Sequence, residues 1–164
     1  MTLLLGIDPG LAGTGFALLA EPNQVVACGT VITIPARETG PRLVAITSHL
    51  RALLAEHRPA EASLEELFMG RNATSAIGVA QARGAILVTL AAAGVPVYEY
   101  KPSQVKASLT GYGMAGKAQM ARMLALQVRT DAKLDDHAAD ALAIALCHAR
   151  SRRLRGMIDA SSAR

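Results

Sequence analysis

The chain has 164 residues, 51% of them hydrophobic, and a formal net charge of +4, which is enough for one domain with a single core and no disulfides. No apolar run approaches the ~18–20 residues of a membrane helix, and the N-terminal MTLLLGIDPG lacks the basic region of a signal peptide, so a membrane role is excluded and a cytoplasmic location is expected. Two cysteines, Cys28 and Cys147, exclude a disulfide framework or a Cys-rich zinc site and are expected as buried, reduced thiols.

The charge is unevenly placed. Residues 1–100 carry six arginines against eight acids, whereas residues 101–164 carry eleven Lys/Arg against five acids. A basic C-terminal part suits a polyanionic partner. A solvated basic surface with a frayed tail is the plainer account, and for SRRLRGMIDASSAR the preferred one.

In chain order, the apolar runs Leu3–Ile7, Gly15–Ala20 and Gln24–Ile34, with Glu21-Pro22-Asn23 as a turn, predict a strand meander. Residues 41–57 place Leu43, Ile46, Leu50, Leu53 and Leu54 at helical spacing behind Pro41, which predicts an amphipathic helix ending before Pro59. Residues 61–68 (EASLEELF) are ambiguous, and propensity leans to helix. Residues 75–93 read as a helix apolar nearly all round, so it must be covered on more than one side. A short strand is expected over Gly94-Val-Pro-Val-Tyr, and further helices over 102–109, 117–128 and 135–150. The order βββαβαβ followed by helices predicts an α/β fold with a mixed sheet and helices on its faces.

Three places set acids beside apolar structure. Asp8 closes the run LLLGID, where it cannot be buried unpaired without a large desolvation cost. Glu65 and Glu66 are adjacent, so in a strand at most one of them shares a site with Asp8. In DDHAADALAIAL, His137 and Asp140 stand three apart on one helical face, with Ala141 and Ile144 continuing the stripe inward. Singly, each has a duller explanation: a turn before Pro9-Gly10, a surface histidine, a helix cap at Asp135 or Asp136. Jointly, carboxylates drawn from separate segments repel unless a cation neutralises them, and oxygen donors with one imidazole suit Mg²⁺ or Mn²⁺. Such a set serves phosphodiester hydrolysis by two ions about 4 Å apart. GIDPGLAGTG is neither G-x-G-x-x-G nor a P-loop. An acid before a Gly/Thr-rich hairpin also resembles the first phosphate loop of sugar kinases and actin-like ATPases, although those close two such domains around a nucleotide.

GIDPG, LEELFMGRNATSAIGVAQARGAI, PSQVKASLTGYGMAGKAQM and DDHAADALAIAL, in this order, resemble the RuvC Holliday-junction resolvases of bacteria over about residues 3–150. The resemblance implies an RNase H-like fold, a five-stranded mixed sheet flanked by helices, and makes the ambiguous segment a fourth strand ending near Glu65. It divides the chain into a nuclease domain, 1–150, and a flexible basic tail, 151–164. Family metal-site acids fall on Asp8, Glu65 and Asp140. The remaining position, often Asp in the family, is His137 here, which completes the site or handles a proton and bears on the choice between Mg²⁺ and Mn²⁺.

The resemblance further implies a homodimer that binds a four-way DNA junction, makes paired symmetric nicks, and works beside the RuvA and RuvB branch-migration proteins. The surplus apolar face of helix 75–93 would be the dimer contact. Phe68 would stack on an unpaired base at the crossover, although composition alone makes it a core residue. Lys106 and Lys117 would lie near the scissile phosphate, and Lys101 and Arg71 would touch phosphates elsewhere. A non-catalytic junction-binding module is the alternative within this fold, and the actin-like nucleotide binder the alternative outside it.

Overall fold

Alternation along one buried strand sets the layers. The computed structural model describes residues 2–67, 73–130 and 132–162. Strand β1 (Leu3–Asp8) lies at the centre of a five-stranded sheet of order β3-β2-β1-β4-β5, formed with β2 (Gly13–Ala20), β3 (Gln24–Ile32), β4 (Glu61–Glu65) and β5 (Val97–Tyr100). β1 runs antiparallel to β2 and parallel to β4. The sheet is therefore mixed, as expected.

Successive side chains point to opposite faces of the sheet, so the odd and even residues of β1 belong to different cores. Leu5 and Ile7 pack against helices α1 (Thr39–His57) and α2 (Ala73–Ala92) through Ile46, Leu50, Leu53, Ile86 and Leu90. Leu4, with Ala17 and Leu19 of β2, packs on the other face against α5 (Asp136–Ser162). Helices α3 (Pro102–Thr110) and α4 (Lys117–Gln127) join that second layer through Val105, Leu109 and Leu124. Each fully buried leucine contributes about 1.5–3 kcal/mol. Asp8 is an even residue, so the same alternation aims it at the α5 side.

The elements match the predicted order, with two marked differences in extent. EASLE is the fourth strand that the resemblance implies, although propensity leans to helix, because its backbone is hydrogen-bonded between β1 and β5, and sheet pairing outweighs a few tenths of a kcal/mol per residue of propensity. β5 is Val97–Tyr100 rather than residues 94–98: Pro96 has no N–H to donate, and its carbonyl receives the Ala62 N–H at 2.8 Å. Helix α5 runs to Ser162 instead of ending at 150. Arg152 pairs with Glu61 and Glu21, both at 3.1 Å, and the Arg155 guanidinium lies 4.7 Å from the centre of the Tyr98 ring. Those contacts tie the extra turns to the body.

Cys147 is buried and Cys28 half-buried, both as free thiols. No described helix is long and apolar enough to cross a membrane.

Candidate active site

The register Gly6↔Ser63 and Ile7↔Leu64 brings Asp8 beside Glu65 one step further along two parallel strands. Ser63 and Glu65 alternate with Ala62 and Leu64, which belong to the α1–α2 core, so Glu65 shares the α5 face with Asp8. This selects Glu65 rather than Glu66 of the adjacent pair.

Three glycines let α5 reach that face. A Cβ on Gly6 would come 2.0 Å from the Ala141 carbonyl oxygen, and one on Gly15 would come 2.0 Å from the His137 carbonyl oxygen. One on Gly13 would meet His137 Cδ2 at 3.0 Å. Gly6, Gly13 and Gly15 of the glycine-rich stretch GIDPGLAGTG are thus accounted for by seating a helix directly on β1 and β2, while Gly10, whose Cβ would meet the Gly13 carbonyl oxygen at 2.4 Å, belongs to the turn itself. Asp135 caps that helix: its Oδ1 accepts the Ala138 N–H at 2.8 Å and the Thr30 hydroxyl at 2.6 Å, fixing the first turn to β3.

So placed, His137 donates from Nδ1–H to Asp8 Oδ2 at 2.8 Å. With Nδ1 engaged, any ligand or proton role falls to Nε2. Asp140 follows one turn later on the same helix. Asp8, Glu65 and Asp140 line one cleft of about 370 Å³, together with Lys106 of α3 and Lys117 at the start of α4. Its floor is apolar, with Val105, Leu124 and Ile144. Gly111, at φ 77°, ends α3 and turns the chain toward Lys117.

The electrostatics show three acids in each other's way. Burial pushes the Asp8 carboxyl above its ordinary value, against the opposing pull of the His137 hydrogen bond and charge and of Lys117. Burial also raises Glu65, and the charges of Asp8 and Asp140 raise it further while Lys106 lowers it. Asp140 is raised by burial and then by Asp8, with Lys117 and His137 acting in the other direction. A cation in the cleft would reverse this balance. The donors are oxygens with one imidazole, which fits Mg²⁺ or Mn²⁺. Among the described residues no three such side chains close on one point as a finished cage. An ion would therefore draw the rest of its sphere from water and phosphate oxygens, as Mg²⁺ commonly does.

The cleft thus brings together Asp8, Glu65, Asp140, Lys106 and Lys117, with His137 behind Asp8. Lys101 precedes α3, where its N–H donates to Gln104 Oε1 at 2.8 Å, and is not among the lining residues. Phe68 and Arg71 lie outside the described residues.

The sequence reading passed over Thr30, Asp135's partner, which carries no local signal. It also passed over Arg83, whose signal was present: it is the one charged residue in ATSAIGVAQARGAILVTLAA.

Comparison with known proteins gives one answer along nearly the whole chain. The family described as crossover junction endodeoxyribonuclease RuvC matches residues 4–148. A crossover junction endodeoxyribonuclease RuvC from Roseiflexus sp. is 47% identical over 151 residues, covering 90% of this chain and 90% of that protein. Its counterpart from Syntrophomonas wolfei is 46% identical over 164 residues, covering 97% and 95%. Thermus thermophilus RuvC, solved in complex with a Holliday junction substrate, superposes with a TM-score of 0.88 at 36% identity, covering 94% of this chain and 96% of that one. With the cleft at the end of β1 and β4 under α5, these likenesses place the chain in the RuvC family of crossover junction endodeoxyribonucleases, on the RNase H-like fold.

Proposed function

We propose that this chain is a divalent-cation-dependent endonuclease that resolves Holliday junctions by hydrolysing phosphodiester bonds, cutting two strands symmetrically as a homodimer. The observation that carries the reading is the gathering of Asp8, Glu65 and Asp140 from three separate elements into one cleft flanked by Lys106 and Lys117. Bound Mg²⁺ or Mn²⁺, two per site, would supply charge neutralisation and a water activated for attack.

The chain's own residues do the rest. Asp8, Glu65 and Asp140 would hold the cations through carboxylate oxygens. His137 fixes Asp8 Oδ2 through Nδ1–H, which orients the carboxylate and leaves Nε2 to ligate or to carry a proton. Lys106 and Lys117 offset the charge that grows on the phosphate in the transition state. Lys101, Phe68 and Arg71 act further out, Phe68 by stacking on an unpaired base. The basic C-terminal part draws the polyanion to the cleft.

The outer face of α2 supports the dimer. Ile77 and Val88, 60% and 70% exposed, stand on a stripe with Gln81 and Gly84, at spacings of four, three and four. Gly84 has nothing within 4 Å of where its Cβ would be, so a second helix could approach closely there. Coupling to RuvA and RuvB belongs to the same reading.

The test combines purified protein with a four-way junction or a linear duplex, with and without Mg²⁺, Mn²⁺ and ATP. Cation-dependent nicking of the junction, little of the duplex, and indifference to ATP are expected. Binding without nicking would favour a junction-binding module, and ATP turnover the actin-like reading.

A further inference from the structure

The main chain at Glu65 is as unusual as its side chain. Along β4 and just past its end, even residues direct their N–H groups at β5: Ala62 donates to the Pro96 carbonyl and Glu66, the residue after β4, to the Tyr100 carbonyl, both at 2.8 Å. The odd residues, Glu65 among them, therefore turn N–H and C=O toward β1. In a parallel ladder the donor to the Glu65 carbonyl would be the N–H of the residue after its partner Asp8. That residue is Pro9, which has no N–H. The ladder thus runs out of donors at the residue that carries the carboxylate.

Arg83 fills the gap. Its Nη1 donates to the Glu65 carbonyl oxygen at 2.7 Å, and its Nη2 pairs with Glu99 Oε1 at 2.5 Å. Arg83 is only 9% exposed, on a helix that is otherwise uncharged. A guanidinium is held there only if its partners compensate its desolvation. Glu99 lies opposite Leu64 on β5, so one planar side chain joins α2 to the ends of two neighbouring strands. A lysine could not make both bonds in that geometry.

We propose that Arg83 is a positioning residue for the cleft: it supplies the hydrogen bond that Pro9 withholds and so holds the end of β4, and with it the Glu65 carboxylate, in place beside Asp8. Glu99 anchors Arg83. The proposal rests on the resolvase reading, since it takes Glu65 as a cation ligand.

The test uses the full chain as wild type, R83M, R83K and E99Q. Each is measured for thermal unfolding, for Mn²⁺ binding by calorimetry without DNA, for junction affinity in EDTA, and for cleavage rate against Mg²⁺ concentration. R83M is expected to bind Mn²⁺ about 10- to 100-fold more weakly, the range typical of lost supporting partners, and to need correspondingly more Mg²⁺ for half-maximal cleavage. Its junction affinity in EDTA should stay at the wild-type level. R83K should fall between R83M and wild type, and E99Q, which keeps the bond to Glu65, should stay near wild type.

A role in packing alone predicts a lower melting temperature with unchanged Mn²⁺ affinity per folded molecule, and that result overturns the proposal. So does an E99Q defect as large as that of R83M, which would locate the effect in the ion pair. Should R83M fail to fold, R83K decides: wild-type Mn²⁺ affinity in folded R83K overturns the proposal, and weakened affinity sustains it. A wild type that neither binds Mn²⁺ nor cuts removes the resolvase reading together with this inference, whereas an active wild type beside an equally active R83M removes only the inference.

Discussion

Asp8→Asn and Glu65→Gln each remove one charge from the cleft while keeping the side chain's shape. Both are expected to abolish cleavage and leave junction affinity nearly unchanged, because a lost ligand weakens cation binding while the loss of a negative charge eases the approach of phosphate. Gel-shift and cleavage assays on the same junction check this, and normal cleavage by both variants removes the site. Stability should move the other way. Burial raises the Asp8, Glu65 and Asp140 carboxyls above their ordinary values of 3.8, 4.5 and 3.8, and repulsion from neighbouring acids adds to it at Glu65 and Asp140. The native state then holds protons that the unfolded state has released, so stability from these groups falls as pH rises through the raised values. Metal-free Asp8→Asn should therefore melt above metal-free wild type at pH 7, with the advantage shrinking as pH falls through the raised value and gone below the ordinary value of 3.8. Added Mg²⁺ should narrow or invert the difference, because binding stabilises the wild type. An Asp8→Asn protein that melts lower without metal contradicts the electrostatic account. The carboxylates were legible in the sequence because acids at the edge of apolar runs are costly. Arg83 was not singled out, because its purpose depends on a donor missing from another strand.

The elements were legible where apolar runs or helical spacing spoke, as in Leu3–Ile7 or the leucines of α1. They were less so where the deciding fact was a partner: EASLE leans to helix by propensity until β1 and β5 flank it, and nothing in the strand run Gly15–Ala20 shows that α5 lies on Gly15. Gly15→Ala tests that seat. Its Cβ would fall 2.0 Å from a main-chain oxygen of α5, so the helix must move, at the ~1–3 kcal/mol typical of overpacking. The melting temperature should drop by about 2–4 °C per kcal/mol for a chain of this size. Cleavage per folded molecule should fall as well, since His137 and Asp140 ride on the displaced helix. The far side of the same helix holds a second buried polar group, His148, fully enclosed. Its Nε2–H donates to Glu61 Oε2 at 2.7 Å, so its Nδ1 accepts the Tyr100 hydroxyl, also at 2.7 Å. Tyr98 covers the ring, and Arg152 and Arg155 add positive charge nearby. Burial lowers the imidazole's pKa from 6.5 despite Glu61. The unfolded chain then takes up a proton that the native state refuses, so this residue's contribution to stability is intact above about pH 6.5 and is lost as pH falls below it. In urea titrations His148→Gln should flatten that part of the stability–pH profile. An unchanged slope between pH 7 and 5 would show that His148 is not its source.

For the whole molecule, the question is how one cleft per chain makes two cuts. A four-way junction has approximate two-fold symmetry, so two identical sites related by a two-fold axis match its two exchanging strands. One chain buries one face of α2, through Ala82, Ile86 and Leu90, and leaves Ile77 and Val88 in solvent. In the dimer proposed above, a second copy would cover this face and account for α2 being apolar beyond the needs of its own core. Mixed dimers separate this arrangement from two independent monomers. Wild-type and Asp8→Asn chains carrying different affinity tags are co-expressed, and the hybrid is isolated through both tags in succession. Each hybrid has one competent cleft, so it should bind a junction as tightly as the wild type and cut a single strand, leaving nicked junctions that persist. Adding wild-type protein afterwards should convert them to paired nicked duplexes. If the hybrid cannot be isolated through both tags, the chains do not pair. If a stable hybrid releases fully resolved duplexes at the wild-type rate, one cleft is making both cuts, and the symmetric-dimer reading fails even though the catalytic site stands.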